Sequence, residues 1–138
     1  MQSEPSIEQW LTVVKQIAPP RGIVYAGAGS GMRASAFCSR MDAAAALFVE
    51  ADEGLAARLA AATAGRTRWI AANALLADGE REDAFYVASS QNESSLIEPE
   101  KLTGVWCNLR QREARRLPTT TLDQLSMSAG HATDGFNW

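Results

Sequence analysis

The sequence predicts an α/β fold built around a parallel sheet, and three observations predict it. Apolar residues recur at helical spacing in several stretches, short β-branched or aromatic runs stand between them, and the two patterns alternate strand, helix, strand, helix, strand across residues 21–76. Parallel neighbours require a crossover, and each intervening helix supplies one. A chain of 138 residues suffices for a single domain, one that buries roughly two-thirds of the surface its unfolded form exposes. With 46% apolar and 21% charged residues, the composition is that of an ordinary folded domain.

Residues 1–20 hold an N-terminal helix. Ser6 reads as its N-cap, Gln9 completes a capping box, and Ile7, Trp10, Leu11 and Val14 form an apolar stripe. Pro19-Pro20 end that helix, and Gly22-Ile23-Val24-Tyr25-Ala26 comes next as a short buried strand. The strand runs directly into Gly27-Ala28-Gly29-Ser30-Gly31, after which residues 32–41 carry Arg33, Phe37 and Met41 at helical intervals of four. Residues 46–49 form the second strand, ending at Glu50, and Asp52 caps a helix in which Leu55 and Leu59 share a face. A turn at Gly65 leads to a third strand over 68–71. Residues 21–76 thus form a βαβαβ unit.

Residues 77–138 read as a β-rich extension. Asp78-Gly79-Glu80 is a turn, and the strand at 84–87 comes too soon after the third for a helical crossover, so it is an antiparallel or edge element. Gln91 to Ser95 is a polar loop, Pro99 interrupts the next stretch, and Val105-Trp106-Cys107 predicts one more short strand. Arg110, Arg112, Arg115 and Arg116 alternate with other residues in a strand before Leu117-Pro118, and Thr121 caps a helix holding Leu122 and Leu125. Trp10, Trp69 and Trp106 are expected as core or interface anchors.

Charge and composition exclude several functions. The net charge of −3 offers no footprint for a phosphate backbone, so nucleic acid is not an expected partner. Cys38, Cys107 and the single His131 cannot build a disulfide framework or a zinc site, which points to a reducing cytoplasm. The N-terminus lacks a signal-peptide pattern, and the apolar run 43–49 falls far short of the ~20 residues of a membrane span.

The strongest chemical signal is the glycine-rich turn between strand and helix. There the missing side chains permit a tight turn and let backbone N–H groups approach a ligand. A dinucleotide fingerprint would need its third glycine at position 32, where Met32 stands, and no Lys-Ser/Thr pair is present as a phosphate-binding loop demands. Glu50, at the end of the second strand, is placed to accept hydrogen bonds from ribose hydroxyls. The competing readings are a turn that merely joins strand to helix and a solvated glutamate before the Asp52 cap. Together the two signals favour a nucleoside ligand.

Four segments then resemble successive landmarks of the FkbM-type S-adenosylmethionine-dependent methyltransferases. They are Val24-Tyr25-Ala26-Gly27-Ala28-Gly29-Ser30-Gly31, Leu47-Phe48-Val49-Glu50-Ala51-Asp52, the stretch from Phe85-Tyr86 to Ser94-Ser95-Leu96, and Pro118-Thr119-Thr120-Thr121-Leu122-Asp123-Gln124-Leu125. The resemblance implies a Rossmann-like sheet with helices on both faces that binds S-adenosylmethionine and methylates hydroxyl groups of sugars, polyketides or other small metabolites. Carried over by position, Gly27, Gly29 and Gly31 approach the cofactor's methionine end, Glu50 holds the ribose, and Asn73 and Ala74 lie near the adenine. The family's usual acidic residue two positions before the first glycine is Tyr25 here, a phenol that is uncharged at neutral pH.

The chain ends at Trp138, about where the family's next core strand begins, so the expectation is the cofactor-binding part of such an enzyme. An open sheet edge and self-association through it are expected with that reading. No catalytic residue is assigned. His131 and Asp134 are the nearest titratable candidates, Ser94 and Ser95 are candidates for the rim of the acceptor site, and the arginine run either contacts an acidic substrate or forms a solvated face. Two other functions compete: a non-catalytic binding module of the same fold, and a nicotinamide-dependent oxidoreductase.

Overall fold

A computed structural model describes residues 6–130 and 135–138 of the chain. His131 and Asp134 lie outside the described residues. The chain is α/β, with four helices and two three-stranded sheets among the described residues.

Helix α1 (Ile7–Ile17) opens on the expected capping box, with the Ser6 hydroxyl accepting from the Gln9 N–H and the Gln9 side chain from the Ser6 N–H. Strand β1 (Gly22–Ala26) comes next, then α2 (Met32–Arg40), β2 (Ala45–Glu50), α3 (Glu53–Thr63) and β3 (Trp69–Asn73). These strands form a parallel sheet in the order β1-β2-β3, so β2 is central. Being covered on both faces, all six of its residues are buried, which is why it reads as an uninterrupted apolar run ending in one acid.

Ala34, Cys38 and Met41 from the α2 region meet Leu59 of α3, Ala46 and Phe48 of β2, and Ile23 of β1 in one core. Of the three residues at helical intervals, Met41 is buried and Phe37 packs half-buried against this core while Arg33 is exposed; α2 also buries Ala34 and Cys38. Burial pushes the Cys38 thiol up to about 11. Trp69 packs edge-on against Phe48 with ring centroids 5.3 Å apart, as an anchor should. Trp10 and Trp106 stay 56% and 45% exposed, outside the core.

Only Ala74 separates β3 from β4 (Leu75–Leu76), which leaves the first sheet and enters a second, ordered β4-β6-β5. Strand β5 (Glu82–Ala88) pairs antiparallel with β6 (Gln111–Thr120), while β4 runs parallel to β6. The β-strands therefore divide between two small sheets instead of forming one continuous sheet. Pro118 is tolerated inside β6 because the Thr119 N–H donates to Arg81 O on the β5 side. Its own nitrogen consequently faces the other side, where β4 begins only opposite Thr119. Helix α4 (Leu122–Ser128) starts with a second capping box, Thr121 and Gln124.

The strand expected at Val105-Trp106-Cys107 is a turn. The Val105 and Trp106 N–H groups both donate to Leu102 O, at 3.0 and 2.9 Å, closing the turn after a short 3-10 helix, Pro99–Leu102. Local bonds have taken the donors that a ladder would need. The outer edge of β1 is met at Gly22 and Val24 by Asn137 and Trp138. Asn137 N–H donates to Gly22 O at 3.2 Å and Val24 N–H to Trp138 O at 3.0 Å. Among the described residues no helix is long and apolar enough to cross a membrane.

Candidate functional site

The turn after β1 is built from left-handed backbone. Gly27, Gly29 and Gly31 have φ of 70°, 58° and 88°, a region that side chains disfavour, so the glycine spacing is a backbone requirement. Their roles then diverge. A Cβ on Gly31 would lie 2.8 Å from Leu59 Cδ1, so this glycine lets α2 and α3 approach, whereas a Cβ on Gly27 would meet nothing within 4 Å. Gly31 serves packing, and Gly27 opens onto space.

That space is a cavity of about 940 Å³ at the carboxyl ends of β1 and β2, the end of a parallel sheet where ligands usually sit. Gly27, Gly29, Glu50 and Ala74 line it; Gly31 and Asn73 do not. Asn73 lies just behind, its amide donating to Glu50 O at 2.9 Å and Ala51 O at 3.1 Å, which fixes the end of β2. Leu75, Leu76 and Phe85 from the second sheet supply an apolar wall. Spacing within the first sheet offers no sign of these three, because they reach the cavity only through the β3–β4 passage and the β5–β6 pairing.

Glu50 is the pivot of the site. It is 8% exposed, and its carboxylate accepts the Gly29 N–H at 2.8 Å through one oxygen and the Asp52 N–H at 2.9 Å through the other. Each oxygen takes one bond and retains a further acceptor position. A buried carboxylate with acceptor capacity beside an open cavity suits hydroxyl donors. It opposes a pyrophosphate, which would bring a second anion to an N–H already engaged by Glu50.

Asp52 ties the site to the rest of the molecule. One of its oxygens caps α3 by accepting the Leu55 N–H at 2.9 Å and also accepts from Gln91 Nε2 at 3.0 Å, while the other lies 3.7 Å from Arg115. The Gln91 contact holds a short 3-10 helix, Gln91–Glu93, over the glycine turn, so that Asn92 Oδ1 would be 3.6 Å from a Cβ on Gly29. Arg115 also binds Glu113 at 2.8 Å, which raises the arginine and holds the Glu113 carboxyl below its usual range. One residue of the expected basic face, Arg115, therefore turns inward, while Arg110, Arg112 and Arg116 are exposed.

Ser94 and Ser95 line the cavity, with their hydroxyls engaged by loop backbone: Ser94 Oγ accepts the Ala88 N–H, and Ser95 Oγ bonds both N–H and C=O of Ile97. Among the described residues no group of His, Cys, Asp and Glu is arranged to hold a metal ion. Comparison of the chain with protein families, with curated proteins and with solved structures returned no match.

Proposed function

We propose that the chain is the cofactor-binding part of an S-adenosylmethionine-dependent methyltransferase of the FkbM type, with a Rossmann-like sheet and a small hydroxylated metabolite as methyl acceptor. One observation carries the reading. The glycine turn after β1 and the acid ending β2 meet across a 2.8 Å hydrogen bond at the mouth of the same cavity. The residues present fit an adenosyl group: Glu50 retains acceptor capacity for ribose hydroxyls, Gly27 leaves its surroundings open, and Ala74, Leu75, Leu76 and Phe85 offer apolar surface to a purine. When bound, the cofactor supplies an electrophilic methyl group. The chain's contribution is to orient it, because in-line displacement depends chiefly on position. On the same footing the protein is placed in the cytoplasm, where free thiols such as Cys38 and Cys107 persist.

Calorimetric titration with S-adenosylmethionine, S-adenosylhomocysteine and NAD tests the reading, on the wild type and on Glu50→Ala and Glu50→Gln, with thermal melting of each recorded alongside. Selective binding of the two adenosyl ligands is expected, weakened roughly tenfold or more in folded Glu50→Ala. Silence towards all three would overturn it, and a preference for NAD would favour an oxidoreductase. A second reading, a binding module without catalysis, draws on Tyr25, which puts a phenol where the resembled enzymes carry an acid. It predicts the same binding with no methyl transfer to any hydroxylated acceptor.

A further inference from the structure

Among the described residues, the charged side chains lining the cavity are Glu50, Arg33 and Glu93. Glu50 is committed to the glycine turn and the start of α3. The other two stand on different elements, Arg33 in the first turn of α2 and Glu93 at the end of the 3-10 helix. Arg33 is exposed and makes no hydrogen bond or ion pair among the described residues. Glu93 is half-buried and takes a hydrogen bond from the Ser90 hydroxyl through one oxygen, leaving the other available. The two do not pair with each other.

A cavity that keeps a cation and an anion apart on its wall is complementary to a ligand carrying both charges at one end. A lone phosphate would be attracted by Arg33 and repelled by Glu50 and Glu93. Tyr25, which lines the same cavity and packs edge-on against Phe37 at 6.0 Å, offers a hydroxyl and no charge. Something other than residue 25 must therefore meet an ammonium group.

We infer that Arg33 and Glu93 read the zwitterionic amino-acid end of the ligand, Arg33 taking the carboxylate and Glu93 the ammonium. This deepens the proposed function and rests on it. The arrangement makes ligand recognition dependent on the 3-10 helix being held in place, since Glu93 is carried by the element that Gln91 anchors to Asp52.

Three thioether probes separate the charges. S-adenosylhomocysteine carries carboxylate and ammonium, its decarboxylated analogue adenosylthiopropylamine carries the ammonium alone, and 5′-methylthioadenosine carries neither. Wild-type protein should bind the first more tightly than the last by roughly tenfold to a hundredfold, an advantage that shrinks with added salt. Arg33→Gln should weaken S-adenosylhomocysteine about tenfold and leave the other two unchanged. Glu93→Gln should weaken both ammonium-bearing probes and spare 5′-methylthioadenosine. Equal losses for all three probes, or no loss for any, would overturn the assignment. If the wild type binds 5′-methylthioadenosine and the zwitterion no better, the charge assignment fails while the nucleoside site stands; if it binds none of them, the proposed function itself fails. Melting temperatures of both variants should match the wild type, because Arg33 is exposed and glutamine at position 93 keeps the size of Glu93 and an oxygen to accept the Ser90 hydroxyl.

Discussion

Gly27 and Gly31 share a left-handed backbone but differ in what surrounds them, so they separate ligand binding from stability. Substituting alanine at Gly27 adds only the strain of φ 70° with an L side chain, about 1–2 kcal/mol, and places a methyl at the cavity wall. At Gly31 the same strain is joined by a clash at 2.8 Å with Leu59 Cδ1 and at 3.3 Å with the backbone of Leu59, which cannot swing away. Gly31→Ala should therefore cost about 3–5 kcal/mol, measured by chemical denaturation, and Gly27→Ala about 1–2 kcal/mol while reducing adenosyl-ligand binding. Equal destabilisation by both would contradict the division of roles. The glycine pattern and Glu50 were legible in the sequence because backbone sign and strand-end position are local properties. That Gly31 packs and Asn73 points its amide at the end of β2 was not, since each depends on a partner more than twenty residues away in sequence.

The helices show which signals define an element and which orient it. Capping residues at Ser6, Asp52 and Thr121 mark three helix starts correctly, because a cap is a bond between neighbours. Apolar spacing alone misses Ala34 and Cys38, which α2 buries, and points to a strand at Val105-Trp106-Cys107, because periodicity does not reveal which neighbour a side chain will meet; Val105 is in fact 74% exposed. Asp52 exceeds an ordinary cap. Beyond the Leu55 N–H it engages Gln91 and lies 3.7 Å from Arg115, so its removal leaves three donors without this acceptor. Asp52→Ala should cost about 2–4 kcal/mol, against about 1 kcal/mol for Thr121→Ala, whose cap has no such further partners. Arg115→Ala should cost less than Asp52→Ala, since the Arg115 side chain is 40% exposed and its pairing is screened by water. Denaturation of the three variants and of the Asp52→Ala/Arg115→Ala double variant measures the coupling; additive losses would show that the approach of Arg115 adds nothing to the stabilisation by Asp52.

Across the molecule, the parallel half was the more legible because its strands are uninterrupted short runs and the first two lead into a glycine-led and a capped helix, the pattern from which a βαβ unit is read. The second half was less so: its strands pair across the long 89–110 connection, and its longest, β6, is mostly exposed and carries no apolar alternation to betray its register. The same difference predicts uneven stability. β2 is flanked by β1 and β3 and buried at every residue, whereas α1 buries none of its residues and is held at its ends by exposed pairs, Glu8 with Arg40 and Lys15 with Asp42. Exposed ion pairs contribute little, and a helix with no fully buried side chain, resting on the core through half-buried Leu11, has little packing to lose when it opens. Native-state hydrogen exchange should therefore find α1 amides opening with free energies near zero to about 2 kcal/mol, the β5–β6 pair at intermediate values, and Leu47, Phe48 and Val49 exchanging only through global unfolding. An adenosyl ligand should add protection at Gly29 and in residues 91–95, where the cavity joins the two halves, without slowing α1. Uniform protection across the chain, or a ligand effect confined to α1, would show that the cavity is not the junction on which the two sheets depend.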